Sequence, residues 1–410
     1  HVLRTAPGVE DDDSRGSLET RLIRTLLSAF GNPRIAFAIG DGESITAGDA
    51  VPVATIRVTD RATLLRLCAD PDVQFGEAYS AGRVEVEGDF LRMIEELYRG
   101  GATGRGSITI ARRLAHWRHR RRVNTLTGSR ENIHHHYDIG NEFYSLWLGE
   151  TMAYTCAYFE TPAQTLDQAQ VAKMHHVSRK LRLCAGERVV EAGCGWGGLA
   201  LHMARHYGVH VRAFNISREQ VAYARERAQA QGLAGLVEFV EDDYRNISGS
   251  YDKFVSVGML EHVGVENYAE LGRMIHGCLK PTGLGLIHTI GRNRPKLMHR
   301  WIERRIFPGA NPPSLSQMMD IFEGHNFSVL DVENIRLHYA KTLEWWYALY
   351  ERSKDRVVKM FDDRFLRMWR LYLIGSQAAF TAGELQLFQV VFAPGHNNEI
   401  PWTRADLYQR

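Results

Sequence analysis

Hydrophobic and polar residues recur with two different periods along the chain, and these periods predict where helices and strands lie. Between residues 18 and 100, the stretch "LETRLIRTLLSAFG" has helical spacing and stops at Gly31. The stretches "ATIRVTD" and "AGRVEVEGD" alternate like half-buried strands, and "FLRMIEELYRG" is helical again. This pattern predicts a small α+β domain over residues 18–103. We expect residues 1–17, which are acidic and lack an apolar signal region, to form a disordered tail or the remnant of a tag.

From Glu187 onward, short apolar stretches alternate with stretches of helical period. The stretches "ERVVEAG", "VHVRAFN", "LVEFVED", "KFVSVGM" and "LGLIHTI" are typical of strands, and helices are expected over Gly198–Tyr207 and after an N-cap at Ser217. This alternation predicts an α/β fold with a mostly parallel sheet and helices on both faces. Two further strands, "FSVLDVENI" and "LQLFQVVFA", are expected to form an antiparallel edge. Residues 342–382, rich in Trp and Tyr, are expected to form helices between them.

The composition is that of a soluble globular protein with two or three domains. The chain has 410 residues, of which 44% are hydrophobic and 24% charged, and no run of eighteen apolar residues predicts a membrane-spanning helix. The cysteines are scattered without a CxxC pair, which predicts a reducing compartment, no disulfide framework and no structural zinc. They are Cys68, Cys156, Cys184, Cys194 and Cys278.

The distribution of charge is more informative than the net charge of +2. Residues 104–130 contain eight arginines and no acid, with Ile, Leu and Trp117 interleaved among them. Three interpretations stay open from the residues alone: a solvated linker helix, a surface that rests on anionic lipid headgroups, and a patch for nucleic-acid phosphates. We treat this segment as a basic linker between the domain over 18–103 and a larger domain over 131–410.

A glycine-rich turn, "VVEAGCGWGGLA", follows the first strand of the larger domain. Gly193, Gly195 and Gly198 also satisfy the GxGxxG pattern of dinucleotide-binding proteins, so the glycines alone are a weak signal. Glu191 precedes the first glycine. Its carboxylate would repel a pyrophosphate but suits a ligand with an ammonium and a sulfonium group. These features indicate S-adenosylmethionine and the class I methyltransferase (Rossmann-like) fold.

The second strand ends without the acid that usually holds a ribose in this fold, because "AFNIS" stands there instead. Gln220, one helical turn further on, could bond the ribose hydroxyls together with Asn215. Helix capping and surface polarity explain the same two residues equally well on spacing alone.

Residues from about 130 to 400 resemble the cyclopropane fatty acid synthases and mycolic acid cyclopropane synthases. The resemblance rests on "HHYDIGNEFY", "YTCAYFE", "LDQAQVAK", "EAGCGWGG", "SVGMLEHVG", "LIHTIG", "IFPG", "HYAKTL" and "LQLFQVVF", in that order. It implies transfer of a methylene group from S-adenosylmethionine to the cis double bond of unsaturated phospholipid acyl chains, which forms a cyclopropane ring. The domain over 18–103 resembles, less specifically, a small sterol-carrier-like domain, which implies lipid docking or dimerisation.

The chemistry explains why the resemblance implies bound bicarbonate. The alkene takes the methyl group from the sulfonium without help from a base and becomes a carbocation, and a base must then remove a proton before the ring closes. The resemblance implies that five groups hold bicarbonate for this purpose. His288, the Ile290 N–H and Tyr339 would donate to the anion, Glu261 would orient its neighbours and tune their basicity, and Cys156 would supply a weak S–H donor and a small wall.

The resemblance also assigns residues to the cofactor. His136 and Tyr137 would close over it, Tyr154 and Thr155 flank its carboxylate end, and Glu191 approaches the methionine portion. The remaining groups are Gly193 and Gly195 at the methionine portion, Asn215 and Gln220 at the ribose, and Asp243 and Tyr244 at the adenine. We predict no metal site at the run His134–His136, because adjacent helical residues diverge by about 100° and no further ligand has zinc spacing.

Seven aromatic residues of the helical stretch could line a tunnel for the acyl chain, although core packing explains each one singly. They are Trp345, Trp346, Tyr347, Tyr350, Trp369, Tyr372 and Phe380. Ser376 stands where some sequence-based accounts of the family place a nucleophilic cysteine, but the chemistry requires no covalent step.

Three functions therefore compete: cyclopropane formation, C-methylation to a methylene- or methyl-branched chain on the same fold, and lipid binding without catalysis. The resemblance further implies a homodimer in the cytoplasm, peripherally associated with the anionic inner face of the cell membrane, with no nucleic-acid partner. Bicarbonate and S-adenosylmethionine are the expected cofactors.

Overall fold

The computed structural model describes residues 18–103 and 139–408, which fall into two compact units. The tail over 1–17, the basic linker over 104–130, and His136 and Tyr137 lie outside the described residues. No described helix combines the length and the apolar content that crossing a membrane requires.

Within residues 18–103 the first unit is a four-stranded sheet with four helices, of which the patterns predicted two strands and two helices. Its strands are ordered β2-β1-β3-β4; β1 and β3 are parallel, and the other pairs are antiparallel. Strands β1 and β2 and helices α2 and α3 were not predicted from the sequence. The elements are α1 (Leu18–Ala29), β1 (Ile35–Ile39), β2 (Ile45–Thr46), β3 (Ala54–Val58), α2 (Arg61–Ala69), α3 (Pro71–Ser80), β4 (Val84–Gly88) and α4 (Phe90–Thr103).

The second unit is built on a seven-stranded sheet of order β10-β11-β9-β8-β5-β6-β7. Strands β9, β8, β5, β6 and β7 are parallel, whereas β11 pairs antiparallel with both β9 and β10. The predicted mostly parallel sheet with an antiparallel edge is thereby confirmed. The strands are β5 (Arg188–Ala192), β6 (His210–Asn215), β7 (Val237–Glu241), β8 (Tyr251–Val257), β9 (Leu279–Gly291), β10 (Phe327–Asn334) and β11 (Gln386–Pro394).

Several helices of this unit begin at a residue whose side chain caps the first turn. Ser217 accepts the N–H of Gln220, as its N-cap position predicts, and Thr165 forms a reciprocal capping box with Gln168. The helices are α5 (Asn141–Ser145), α6 (Leu166–Lys180), α7 (Gly198–Tyr207), α8 (Arg218–Ala230), α9 (Tyr268–Cys278), α10 (Arg300–Arg305), α11 (Leu315–Phe322), α12 (Arg336–Arg352), α13 (Lys354–Met360) and α14 (Asp363–Thr381).

Both faces of the parallel sheet are covered, which is why its strands are almost continuously apolar. One core cluster joins α6, α7 and α8 to one face through residues such as Met203, Val221 and Val255. The other joins α9 and α11 to the opposite face through residues such as Phe254, Ile275 and Phe322. The carboxyl ends of the parallel strands remain as the edge where an open α/β sheet binds ligands.

Candidate active site

The glycine turn links the end of β5 to the start of α7. Gly193 and Gly195 have φ angles of 82° and 53°, in the left-handed region that favours glycine. A Cβ added at Gly193 would lie 2.9 Å from the Cβ of Met259, so a side chain has no room there. The backbone can thus approach a ligand closely at the start of helix α7, where unpaired N–H groups are available.

Glu191 is the penultimate residue of β5, two positions before Gly193, and is 2% exposed. The Ala200 N–H donates to its carboxylate, while its Oε2 has no hydrogen-bond partner among the described residues. Burial raises the pKa of Glu191 to about 8. An acceptor left without a partner in an apolar interior is costly, and a cationic ligand group would remove that cost.

The two residues assigned to the ribose lie together in the structure. The Asn215 amide donates to Gln220 Oε1 at 2.7 Å and to the Gly195 carbonyl at 3.1 Å. Both side chains are buried. The end of β6, the start of α8 and the glycine turn are therefore joined by one amide, which fixes the relative position of the predicted methionine and ribose sites.

Asp243 and Tyr244, assigned to the adenine, already have protein partners. Asp243 accepts the Arg245 N–H at 3.0 Å, and the Arg245 guanidinium lies 3.2 Å from its Oδ2. That guanidinium also stands over the Tyr244 ring at 4.9 Å, and the ring belongs to a core cluster. Helix capping and an ion pair thus engage the carboxylate, core packing engages the ring, and the contacts with the adenine stay a prediction.

Glu261 and Ile290 contact each other directly. The Ile290 N–H donates to Glu261 Oε1 at 2.7 Å, while the buried Oε2 has no partner among the described residues. Burial raises the pKa of Glu261 to about 7, against the effect of that N–H. The sequence analysis assigned the Ile290 N–H to the anion. In the structure it holds the Glu261 carboxylate instead, because the carboxylate is the nearest charged acceptor.

His288 lies two residues earlier on β9 and is 1% exposed. The Gln389 side-chain nitrogen, on the neighbouring strand β11, lies 3.1 Å from its Nδ1. An amide NH₂ only donates, so we infer that Nδ1 accepts and that the proton is on Nε2. Nε2 is buried without a partner in the part of the chain that the structure describes, and burial lowers the pKa of His288 well below its usual value. A neutral imidazole with an unused N–H donor suits an anion.

The segment that carries Cys156 is bonded to helix α12, which carries Tyr339. Thr342, one turn after Tyr339, accepts the Ala157 N–H at 3.0 Å, and His338 accepts the Phe159 N–H at 2.9 Å. These bonds fix the segment that carries Cys156 against the helix that carries Tyr339. Burial raises the pKa of the Cys156 thiol, so it remains protonated, consistent with a small wall and not with a nucleophile.

Helix α6 holds the same segment from the other side, through residues to which the sequence analysis gave no role. Gln170 donates to the carbonyls of Ala153 and Thr155, at 3.3 and 2.8 Å, and Lys173 Nζ donates to Thr155 Oγ1 at 2.9 Å. Both lie in the motif "LDQAQVAK", where their spacing of three on a helix puts them on one face. That spacing is the feature of the sequence from which a shared role of Gln170 and Lys173 could have been predicted.

The aromatic residues of α12 and α14 pack beside this segment. The Trp346 ring lies 5.4 Å from that of Tyr154 and 5.9 Å from that of Tyr339, and Tyr339 stacks on Phe380 at 4.6 Å. The Tyr154 and Tyr372 hydroxyls are 2.7 Å apart. An apolar wall thus adjoins the predicted anion site, and the predicted acyl tunnel stays a prediction. In residues 18–103 and 139–408, no group of three or more His, Cys, Asp or Glu side chains has the arrangement to hold a metal ion.

Comparison with known proteins supplies the family. The model described as "Mycolic acid cyclopropane synthetase" matches residues 124–390, and one described as "Domain of unknown function (DUF7884)" matches residues 22–103. A probable fatty acid methyltransferase of Pseudomonas putida is 38% identical over 384 residues, covering 90% of this chain and 95% of that protein. The cyclopropane-fatty-acyl-phospholipid synthase of Escherichia coli is 40% identical over 264 residues, covering 64% of this chain and 68% of that protein.

A solved structure supports the fold and the cofactor. A mycolic acid cyclopropane synthase complexed with SAH and CTAB superposes with a TM-score of 0.61 at 28% identity, covering 64% of this chain and 97% of that one. Both the matched fold and the bound SAH fit the glycine turn and the buried Glu191 described above.

Proposed function

The chain belongs to the mycolic acid cyclopropane synthetase family, and from this premise we propose that it forms cyclopropane rings on unsaturated phospholipid acyl chains, with bound bicarbonate as the base. Membership makes the protein an S-adenosylmethionine-dependent methyltransferase that acts on acyl chains. The phospholipid and the bicarbonate are the proposed parts.

One observation carries the proposal: Glu261 Oε2 and His288 Nε2 are buried polar atoms without partners among the described residues. Glu261 lies in the turn after β8, and its other oxygen accepts the N–H of Ile290, two residues after His288 on β9. One is an acceptor and the other a donor, and bicarbonate offers both an O–H and acceptor oxygens. Bicarbonate, when bound, supplies a base of moderate strength that a sulfonium does not readily alkylate. The protein residues hold it, exclude water and orient the acyl chain.

Each residue then has a limited task. His288 donates through Nε2, since Gln389 fixes its tautomer. Glu261 accepts through Oε2, while the Ile290 N–H holds its other oxygen. Tyr339 and Cys156 complete the predicted set, with the Trp346 ring available to stabilise positive charge on the chain.

A second function, C-methylation to a methylene- or methyl-branched chain, is favoured by the name of the Pseudomonas putida relative, which matches nearly the whole chain. Loss of a proton from a chain carbon would give a methyl-branched alkene. A methylene branch would form if hydride first moved from the methylated carbon to the cationic carbon and the new methyl group then lost the proton. A phospholipid substrate fits four further proposals. They are a cytoplasmic location, contact with an anionic membrane, a homodimer, and lipid docking by residues 18–103. A role for the arginines of the basic linker falls outside the described residues.

One experiment separates these functions. The protein is incubated with cis-unsaturated phospholipid vesicles and S-adenosylmethionine, with and without added bicarbonate, and the lipids are analysed by mass spectrometry. Cyclopropane formation predicts acyl chains heavier by one methylene with no remaining double bond, and a yield that depends on bicarbonate. The same mass gain with a retained double bond would establish C-methylation, and unchanged lipid with intact S-adenosylmethionine would indicate binding without catalysis.

A further inference from the structure

Lys173 is a buried cation to which neither the family resemblance nor the proposed function assigns a role. It lies in helix α6 and is 2% exposed, and its Nζ donates to the hydroxyl of Thr155 at 2.9 Å. Lys173 forms no ion pair with the described residues. A buried ammonium bonded to a neutral hydroxyl is poorly compensated, so its position requires an explanation beyond packing.

The position of Lys173 places its charge beside both halves of the site. Thr155 precedes Cys156, so the lysine holds the segment that forms one wall of the anion site. The ammonium also acts electrostatically on Glu191, Cys156 and His288. Burial lowers the pKa of Lys173 to about 8, which indicates that its surroundings in the protein do not satisfy the charge.

We propose that Lys173 is a positioning residue that supplies the positive charge for anion binding at the Glu261–His288 site, while its hydrogen bond to Thr155 fixes the Cys156 wall. This inference rests on the proposed function. The role of Lys173 adds to the proposed function, because two neutral donors and a carboxylate would by themselves bind an anion weakly. A fixed positive charge in a low-dielectric interior attracts an anion more strongly than a dipole does at the same distance.

Lys180 offers a matched control on the same helix. It is equally buried, at 2% exposure, but its Nζ lies 2.6 Å from Glu333 Oε2, so its charge is compensated within the protein. Replacing either lysine by Met removes one buried ammonium from α6. The charge of Lys180 also acts on His288, but Glu333 and Asp331 offset it, so Lys173→Met should change the response to an anion far more than Lys180→Met.

The test measures equilibrium binding, not turnover. Thermal unfolding of the SAH-loaded protein is followed over a series of bicarbonate concentrations at constant ionic strength, because a ligand that binds only the folded state raises Tm with its concentration. Lys173→Met should need on the order of tenfold more bicarbonate for the same rise in Tm, with SAH affinity nearly unchanged. Lys173→Arg should restore most of the response. The Lys180→Met protein should have a lower Tm without bicarbonate, and its Tm should rise with bicarbonate as that of the wild type does.

The outcomes separate the two proposals. A Lys173→Met protein that responds to bicarbonate like wild type would overturn the role of Lys173 and leave the proposed function intact. A wild-type protein that gains nothing from bicarbonate would overturn the base of the proposed function and this inference with it. If Lys173→Met does not fold, Lys173→Gln, which keeps a donor for Thr155 without the charge, replaces it under the same criteria.

Discussion

Helix α6 carries two buried lysines two turns apart, and their surroundings differ completely. Lys180 lies 2.6 Å from Glu333 and 3.7 Å from Asp331, and Glu333 also bonds His176 at 2.8 Å. Lys173 bonds a neutral hydroxyl, and its acidic neighbour Glu191 keeps one oxygen without a partner among the described residues. The two lysines thus lie on the same helix and are equally buried, but only Lys180 has carboxylates that neutralise its charge.

The pKa values of the two neighbouring acids, Glu333 and Glu191, are shifted in opposite directions. Burial alone raises the pKa of Glu333, but hydrogen bonds from His176 and Lys180 outweigh it and lower that pKa to about 2. Burial raises the pKa of Glu191 to about 8. A charge compensated inside the protein stabilises the fold, whereas one left without compensation at a sheet edge marks a site that a ligand completes. By this criterion the charge of Lys180 belongs to the fold and the charge of Lys173 belongs to the proposed site.

The largest expected effect is on product formation. Glu261→Gln keeps the acceptor for the Ile290 N–H but changes the oxygen that has no partner, so we expect product formation to fall by roughly 100-fold or more. The same holds for His288→Ala. Initial rates are measured by mass spectrometry of the lipids, and SAH affinity, measured by calorimetry, should stay within about twofold because the glycine turn is untouched.

Glu333→Gln is the control for that prediction, since it alters the compensated cluster beside Lys180. It should lower stability and leave turnover per folded molecule near wild type. Wild-type rates in Glu261→Gln would remove Glu261 from the anion site, and an equal loss of turnover in Glu333→Gln would abolish the distinction between the two clusters.

Local patterns in the sequence were sufficient to predict much of the fold. The strand and glycine turn before Gly198 and the N-cap at Ser217 depend on residues near each other in the chain, and both predictions are confirmed. The predicted antiparallel edge is confirmed as well, although its strands are distant in the chain. In the first unit, β1 (Ile35–Ile39) was not identified, because its run "IAFAI" is short and shows no clean alternation.

Partners within the site were much harder to predict. The bond between His288 and Gln389 joins residues 101 positions apart, and Lys173 meets Thr155 across a turn of irregular backbone. No periodicity encodes such contacts, since they depend on which strands become neighbours. The Ile290 N–H was assigned to the anion because the motif shows the donor but not the carboxylate that accepts from it.

The next effect in size is on stability. Lys180→Met would leave Glu333 and Asp331 without their buried cation, and we expect a loss of about 2 kcal/mol in the free energy of unfolding, because solvent reaches Glu333 in part. Urea unfolding followed by circular dichroism measures it. A variant as stable as wild type would show that Arg404, 2.6 Å from Asp331, and His176 compensate the cluster alone.

The smallest effect concerns His202, which lies near Lys173 and extends the comparison to pH. Its ring packs 4.3 Å from that of His175 and 4.4 Å from that of His206, and its buried Nε2 has no partner among the described residues. Burial, together with the charges of His175, His206, Lys173 and Arg205, lowers the pKa of His202 to about 3.

Because the folded state keeps His202 neutral, the unfolded state binds the extra proton. The stability that His202 contributes is therefore complete above pH 6.5 and falls as the pH drops from 6.5 toward 3. Between pH 7.5 and 5.5 the wild-type protein should lose about 1 kcal/mol more than His202→Gln, measured by urea unfolding at both pH values. An identical loss in wild type and His202→Gln would mean that the imidazole takes up its proton in the folded state, and that the uncompensated region around Lys173 tolerates a further positive charge.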